Sequence, residues 1–320
     1  MATETVAVVF SSDDTYAMLL GVALCSLFEN KKGDYPIHVF VIDGGISAKN
    51  KERLGILKKR YNFAITYVIP DKRLFASIPV VHLPLEAYYR IAIGRMIPST
   101  YRRAVYLDCD VIVRKDIIEL FTADLAGKTV GAVADCLQDV RKRHLEKLCR
   151  SIALLEIPEK LTYFNSGVLL IDMERWRERE IEEKLFAFIC RHPELWAADQ
   201  DALNIVLLGD RTILAATYNL LAEFAHEQNE KDPLIVHFVG GGKPWYLLSA
   251  LPYQSEYVRY ANKTPWKKEK YRKLMDVPFA KKYHLYPIVW SLWTAYKKTK
   301  GYFSAGSRMS SATTLITPMD

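Results

Sequence analysis

Two carboxylates two residues apart, Asp108 and Asp110, interrupt an otherwise apolar run, Val105-Tyr106-Leu107-Asp108-Cys109-Asp110-Val111-Ile112-Val113. Burying them unpaired would cost several kcal/mol, so something positive must answer them. In a strand, positions i and i+2 point to one side, and the pair could then chelate one hard divalent cation together with phosphate oxygens. An Asp-x-Asp alone is common by chance; its position between two strongly apolar stretches singles it out. His237 closes another apolar run, Leu234-Ile235-Val236, and Gly240-Gly241-Gly242-Lys243 follows shortly after. Alone, that histidine reads as a satisfied structural residue. Beside glycines that let backbone N–H groups approach phosphate, and a lysine that neutralises it, His237 becomes a candidate third ligand. Oxygen ligands with one imidazole suit Mn2+ better than Mg2+.

Other polar clusters abut apolar runs. Ser11-Ser12-Asp13-Asp14 directly follows Val6 to Phe10; Ser12 or Asp13 could equally cap the next helix. In Ala198-Asp199-Gln200-Asp201-Ala202-Leu203-Asn204, two acids flank an amide ahead of a helical pattern, which an N-cap with favourable first-turn charges would also explain. Phe164-Asn165-Ser166-Gly167 sets a polar pair before a buried strand, and Tyr88-Tyr89-Arg90 offers a cation to a phosphate or to a structural carboxylate.

The elements that must position these residues alternate. Apolar strand-like runs at Val6 to Phe10, His38 to Ile42 and Ala64 to Val68 are separated by helical patterns over Ala17 to Glu29 and Ala48 to Tyr61. This is the rhythm of an α/β sheet covered by helices, whose ligands gather beyond the carboxyl ends of the strands. Ala104 to Leu107 and Gly167 to Ile171 read as further buried strands, and Asp139 to Lys160 as helices or a loop over the site. After Trp245 the composition turns aromatic and basic, broken by Pro252, Pro265, Pro278 and Pro287. The expected division is a catalytic domain over 1–250 and a basic aromatic tail over 251–320, with Ser304 to Thr314 disordered.

The net charge of +7 is lopsided: Leu251 to Lys300 holds twelve Lys/Arg against three acids, so the remainder is close to neutral. The five cysteines are odd in number and widely spaced in apolar stretches, and read as reduced core thiols. No apolar run approaches the roughly 18 residues of a membrane span. With no signal-peptide pattern at the start, the expected location is cytoplasmic. Trp266, Tyr271, Tyr283, Tyr286, Trp290, Trp293 and Tyr296, interleaved with lysines, make attachment to an anionic membrane surface on its inner face plausible; the alternative is a solvated tail packed on the domain.

In order, Val9 to Tyr16, His82 with Tyr88-Tyr89-Arg90, Leu107 to Asp110, Phe164 to Leu170, Asp199 to Asn204, and His237 through Trp245 resemble glycosyltransferase family 8, nearest its bacterial lipopolysaccharide galactosyltransferase branch. The family often has asparagine where Thr15 stands, and cysteine or alanine where this chain has Val239. The resemblance implies a GT-A fold, a Rossmann-like α/β domain with a mixed central sheet, and retaining hexosyl transfer from a UDP-sugar, galactose before glucose, to a glycan or glycoconjugate. It implies Mn2+, or Mg2+, held by Asp108, Asp110 and His237. Phe10, Ser11 and Ser12 through their backbone, and Asp13, would face uracil and ribose; Gly240 and Lys243 would hold the diphosphate, with Cys109 among the donor-binding residues. Arg90, Asp135, Asn165, Asp199 and Gln200 would surround the donor sugar, the last two and Asp135 as catalytic candidates, and His82 would lie towards the acceptor.

Paired carboxylates also serve glycoside hydrolases, which need neither metal nor nucleotide, and metal acids also serve nucleotidyltransferases. A nucleic-acid-binding module would use the basic tail but not the acidic cluster, and no nucleic-acid partner is expected.

Overall fold

Alternation along the first strand decides the architecture. In the computed structural model, which describes residues 4–78, 85–136, 138–151, 162–193, 195, 197–246 and 249–269, β1 (Val6–Ser12) sends Val6, Val8 and Phe10 into one hydrophobic cluster and Ala7 and Val9 into another. Side chains alternate across a strand, so a run apolar at every position needs cover on both faces. Among the described residues the remaining strands are β2 (Ile37–Asp43), β3 (Ala64–Val68), β4 (Arg103–Leu107), β5 (Val111–Val113), β6 (Val130–Ala134), β7 (Phe164–Asp172), β8 (Arg211–Leu214), β9 (Leu220–Leu221) and β10 (Ile235–His237). Helices between and after them include α1 (Ala17–Glu29), α2 (Ala48–Tyr61), α3 (Leu85–Tyr88), α4 (Gln138–Ser151), α5 (Ile181–Arg191), α6 (Ala198–Val206) and α7 (Gln254–Ala261).

The large sheet has the order β3-β2-β1-β4-β7-β6-β8, and a small one the order β5-β10-β9. Within the large sheet β7 runs against its neighbours β4 and β6, while the other pairs are parallel. This reversal brings the amino end of β7, with Asn165 and Ser166, to the edge where β1 and β4 end. The polar pair therefore lies inside the strand rather than before it, and the backbone N–H of Asp108 donates to Gly167 O at 2.8 Å.

Asp108 to Asp110 corrects the expectation of an i, i+2 pair on a strand. The acids occupy the turn where the chain leaves β4 for β5, because β5 pairs with β10 and not with the large sheet. Phe238 N donates to Asp110 O at 2.9 Å, so the turn is tied to both sheets.

α2 starts with Ser47 accepting from Asn50 N and ends at Asn62 in the left-handed region, with Lys58, Lys59 and Arg60 favourably placed in its last turn. α1 is buried on nearly every side, with β5, α2 and α7 packed against it. The chain keeps contributing to the core past residue 250: Tyr257, Tyr260 and Trp266 belong to the first cluster, and Trp266 Nε1 donates to Asn50 Oδ1 at 3.2 Å. Residues 270–320, hence most of the aromatic basic stretch and Ser304 to Thr314, lie outside the described residues, as do His82 and 152–160 of the stretch expected over the site. Cys25, Cys109, Cys136 and Cys149 are buried thiols; Cys190 corrects the core reading, being exposed. Among the described residues no helix is long and apolar enough to cross a membrane.

Candidate active site

Three elements end at one point: β4 delivers Asp108, the turn after it Asp110, and β10 His237. One ligand atom from each lies within 4.8 Å of the others. His237 Nε2 is 3.2 Å from Asp110 Oδ1 and 3.8 Å from Asp108 Oδ2. The other carboxylate oxygens are occupied: Arg90 Nη2 donates to Asp108 Oδ1 at 2.8 Å, and Lys243 Nζ to Asp110 Oδ2 at 2.7 Å. Burial opposes ionisation of Asp110, but Lys243 and His237 beside it hold its carboxyl well below the usual carboxylate range. Gly167 makes room, since a Cβ there would meet His237 Cε1 and sit 2.6 Å from Asp108 Oδ2. Two carboxylates and an imidazole in a recess kept clear by a glycine fit a divalent cation.

Arg90 joins this point to a second acid. Its Nη1 donates to Ser166 O at 2.8 Å, its Nε to Ala87 O at 3.1 Å, and its Nε lies 3.1 Å from Asp199 Oδ2. Burial works against the guanidinium's charge, but Asp108 and Asp199 outweigh it and raise its pKa. Asp199 Oδ2 has no aligned hydrogen bond, so the contact with Arg90 is an ion pair without a donor aimed at that oxygen. Burial, with Asp108 adding repulsion against the opposing pull of Arg90, pushes the Asp199 carboxyl up to about 6. Asp199 is therefore set apart from Asp201, which is fully buried and accepts from Tyr163 OH at 2.6 Å and from Ala197 N at 3.0 Å. Neither acid is the N-cap of α6, which is Ala197.

Behind these charges lies a network of amides. Gln200 Oε1 accepts from Ser166 N at 2.9 Å, and its Nε2 donates to Asp135 Oδ2 and Tyr163 OH, both at 3.3 Å. Asn165 Nδ2 faces Asp135 Oδ2 at 3.4 Å and Gln200 Oε1 at 3.3 Å. Asn165, Asp135, Gln200 and Asp199 are thus brought together with Arg90 and the metal-type triad.

A cleft of about 200 Å3 opens beside Asp108 and Asp110, walled by Ser11, Ser12, Asp13, Tyr16, Glu86 and Cys109. Asp13 Oδ1 accepts from Tyr16 N at 2.8 Å in the turn before α1; the N-cap of α1 is Tyr16, so neither Ser12 nor Asp13 caps that helix, and Asp13 keeps its place on the cleft. The Phe10 ring points into the core, leaving only its backbone at this edge. Burial, and then the neighbouring acids, push the Cys109 thiol well up; it donates to Ser11 O at 3.1 Å and stays protonated. Gly240 has φ +75°, a conformation side chains rarely adopt, and a Cβ there would press on the Glu223 carboxylate.

Sequence reasoning passed over several residues in this assembly: Asn219, whose amide lies between Asn165 and His237; Tyr106, whose hydroxyl donates to Asp108 Oδ1 at 2.9 Å; Tyr163; and Glu86. A polar residue inside an apolar stretch, the signal that singled out Asp108, was present for Asn219 in Tyr218-Asn219-Leu220-Leu221.

A mixed seven-stranded α/β sheet with such an acidic site at its edge is the architecture of GT-A glycosyltransferases. The galactosyltransferase LgtC, solved in complex with donor and acceptor sugar analogs, is similar in structure with a TM-score of 0.71 and 25% identity, over 82% of this chain and 99% of LgtC. The chain belongs to glycosyl transferase family 8, whose sequence model matches residues 7–248. General stress protein A of Bacillus subtilis (strain 168) is 34% identical, over 82% of this chain and 95% of that protein. A lipopolysaccharide 1,2-glucosyltransferase of Escherichia coli (strain K12) is 26% identical, over 88% of this chain and 85% of its own length.

Proposed function

We propose that this glycosyltransferase moves a hexose, galactose before glucose, from a UDP-sugar to a hydroxyl of a glycan or glycoconjugate with retention of configuration, using Mn2+ or, next, Mg2+. The observation that carries the reading is the convergence of Asp108 Oδ2, Asp110 Oδ1 and His237 Nε2 beside a cleft sized for part of a nucleotide. Similarity to a lipopolysaccharide glucosyltransferase and to a galactosyltransferase supports a hexose donor and a glycan acceptor.

Bound at the triad, the metal supplies Lewis-acid neutralisation of charge on the departing diphosphate, a role worth several kcal/mol. Arg90 and Lys243 add fixed positive charge that needs no reorganisation during the reaction. Ser11, Ser12 and Asp13 hold the nucleoside, with Tyr16 on the same cleft wall. Gln200 Oε1 already accepts the Ser166 N–H, and an amide is a poor nucleophile, so Gln200 orients the sugar rather than attacking it. Asp199 stabilises an oxocarbenium-like sugar with its charge, and Asp135 and Asn165 bind sugar hydroxyls. The acceptor hydroxyl then attacks from the face that UDP leaves, its proton passing to the departing diphosphate as the sugar–phosphate bond breaks, which retains configuration.

The test is UDP release from a panel of UDP-sugars with and without Mn2+, with the product anomer read by NMR and the enzyme by intact mass. Metal-dependent turnover of UDP-galactose or UDP-glucose, an α product and an unmodified enzyme are expected. A hexose adduct on Asp199 or Gln200 would sink the same-face step. Release of diphosphate from a nucleoside triphosphate would mean a nucleotidyltransferase, and metal-free cleavage of a glycoside a hydrolase.

The tail adds a location to this reading: a cytoplasmic enzyme held on the inner face of the membrane by Trp290, Trp293 and Tyr296 among lysines. Truncation after Glu269 keeps the packed Tyr257, Tyr260 and Trp266. Flotation should show the full chain on vesicles of anionic lipid and the truncated chain free of them, with UDP binding equal in both. Vesicle binding that survives truncation counts against the anchor.

A further inference from the structure

The polarity of the buried amides decides which nitrogen of His237 faces a cation. Gly167 N donates to Asn165 Oδ1 at 3.0 Å, so the Asn165 nitrogen must face the other way, where it meets the acceptors Asp135 Oδ2 and Gln200 Oε1. That fixed oxygen of Asn165 also accepts from Asn219 Nδ2 at 3.0 Å. Asn219 therefore turns its own oxygen towards His237 Nδ1, 3.2 Å away. An amide oxygen can only accept, so Nδ1 carries the proton. Asn165 is 8%, His237 3% and Asn219 0% exposed, which leaves little room for water to take over any of these bonds.

We infer that Asn219 is a positioning residue of the transfer reaction. Its amide forms the central link of a one-way hydrogen-bond relay from His237 through Asn165 to Asp135, and that relay presents the unprotonated Nε2 of the neutral imidazole to the metal. The inference rests on the metal reading above. It ties the metal ligand to the amide proposed to bind the donor sugar, so both are oriented by one side chain. Outer partners of metal-bound histidines fix tautomer and ring orientation in this way, and their loss typically costs about 10–100-fold in metal affinity or activity.

The experiment uses the full chain and separates the two readings. First, 15N-histidine NMR of metal-free wild type should find His237 Nδ1 protonated and bonded to Asn219, whether or not Nε2, 3.2 Å from Asp110 Oδ1, also carries a proton; an unprotonated Nδ1 overturns the relay whatever the metal does. Second, Mn2+ titration followed by EPR compares wild type with Asn219→Leu, which removes both bonds, and Asn219→Asp, which keeps an oxygen for His237 but loses the donor to Asn165. Asn219→Leu should bind Mn2+ about 10–100-fold more weakly. Asn219→Asp should bind Mn2+ close to wild type yet lose UDP-sugar turnover. Wild-type Mn2+ affinity in a folded Asn219→Leu protein overturns the positioning role. Failure of wild type to bind Mn2+ or Mg2+ overturns the metal reading and the ligand-presenting role with it, while the NMR result stands separately on the relay. Should Asn219→Leu fail to fold, the wild-type NMR and Asn219→Asp still decide the matter.

Discussion

Replacing Asp110 by alanine is expected to lower metal-dependent UDP release by about a thousandfold or more, since several kcal/mol of transition-state stabilisation at about 1.4 kcal/mol per tenfold is at stake. More is lost than one ligand. Asp110 Oδ1 faces His237 Nε2 at 3.2 Å, and its other oxygen holds Lys243 Nζ at 2.7 Å. Without the carboxylate, the ammonium stays near Phe238 O with no countercharge, and its repulsion falls on any cation held by the remaining Asp108 and His237. Asp110→Asn separates charge from shape, because an amide keeps the size and an oxygen for Lys243 but removes the negative charge. Both variants should bind Mn2+ far more weakly by EPR titration and keep a folded circular dichroism spectrum. Turnover within tenfold of wild type in Asp110→Ala would remove Asp110 from the metal site and the triad with it.

The parts of this site that were legible are those where chemistry contrasts with its surroundings. Asp108 and Asp110 stand out because carboxylates inside an apolar run demand a partner, whatever the local backbone does. Their turn was not legible, since it depends on β5 leaving the large sheet for β10, a pairing between residues far apart in the chain. Strand positions could be read from continuous apolar runs, but the direction of β7 could not, because direction follows from which neighbour pairs with it. Asp199 and Asp201 look alike in sequence. A helix turns about 100° per residue, so two positions apart they face nearly opposite ways. Asp199 meets Arg90, while Asp201 meets Tyr163 and the start of its own helix. Asn219 falls beside the two-residue β9, too short for any periodicity, and acquires its role only when β9 lies against β10. The composition change after Trp245 suggested a boundary, yet Tyr257 and Tyr260, three apart on α7, share one buried face.

Arg90 is where the stability and the chemistry of this site can be separated by measurement. Arg90→Met fills the volume of the side-chain stem but leaves the Asp108 and Asp199 carboxylates without their cation, and breaking such a buried pairing typically costs about 3–5 kcal/mol. Asp199 is already up to about 6 from burial, with Arg90 the group that opposes the rise. Losing Arg90 moves it further up. A carboxyl raised in the folded state holds a proton there that the unfolded chain has released, so its penalty grows as pH rises from the unfolded value of 3.8 to the folded pKa and is constant above it; the further rise in Arg90→Met therefore adds its cost only above about 6. Urea unfolding should therefore find Arg90→Met more destabilised relative to wild type at pH 8 than at pH 5. Asp199→Asn added to Arg90→Met removes one of the two unpaired charges and should recover part of the lost stability at pH 8, a coupling that a double-mutant cycle reads directly. UDP release should stay lost in the double variant, because the guanidinium held between Asp108 and Ser166 is absent in both. A deficit equal at both pH values, with no recovery in the double variant, would mean that Arg90 stabilises the fold by packing over the Tyr106 ring, 4.8 Å away, and by its bonds to Ala87 and Ser166, not by holding two buried carboxylates together.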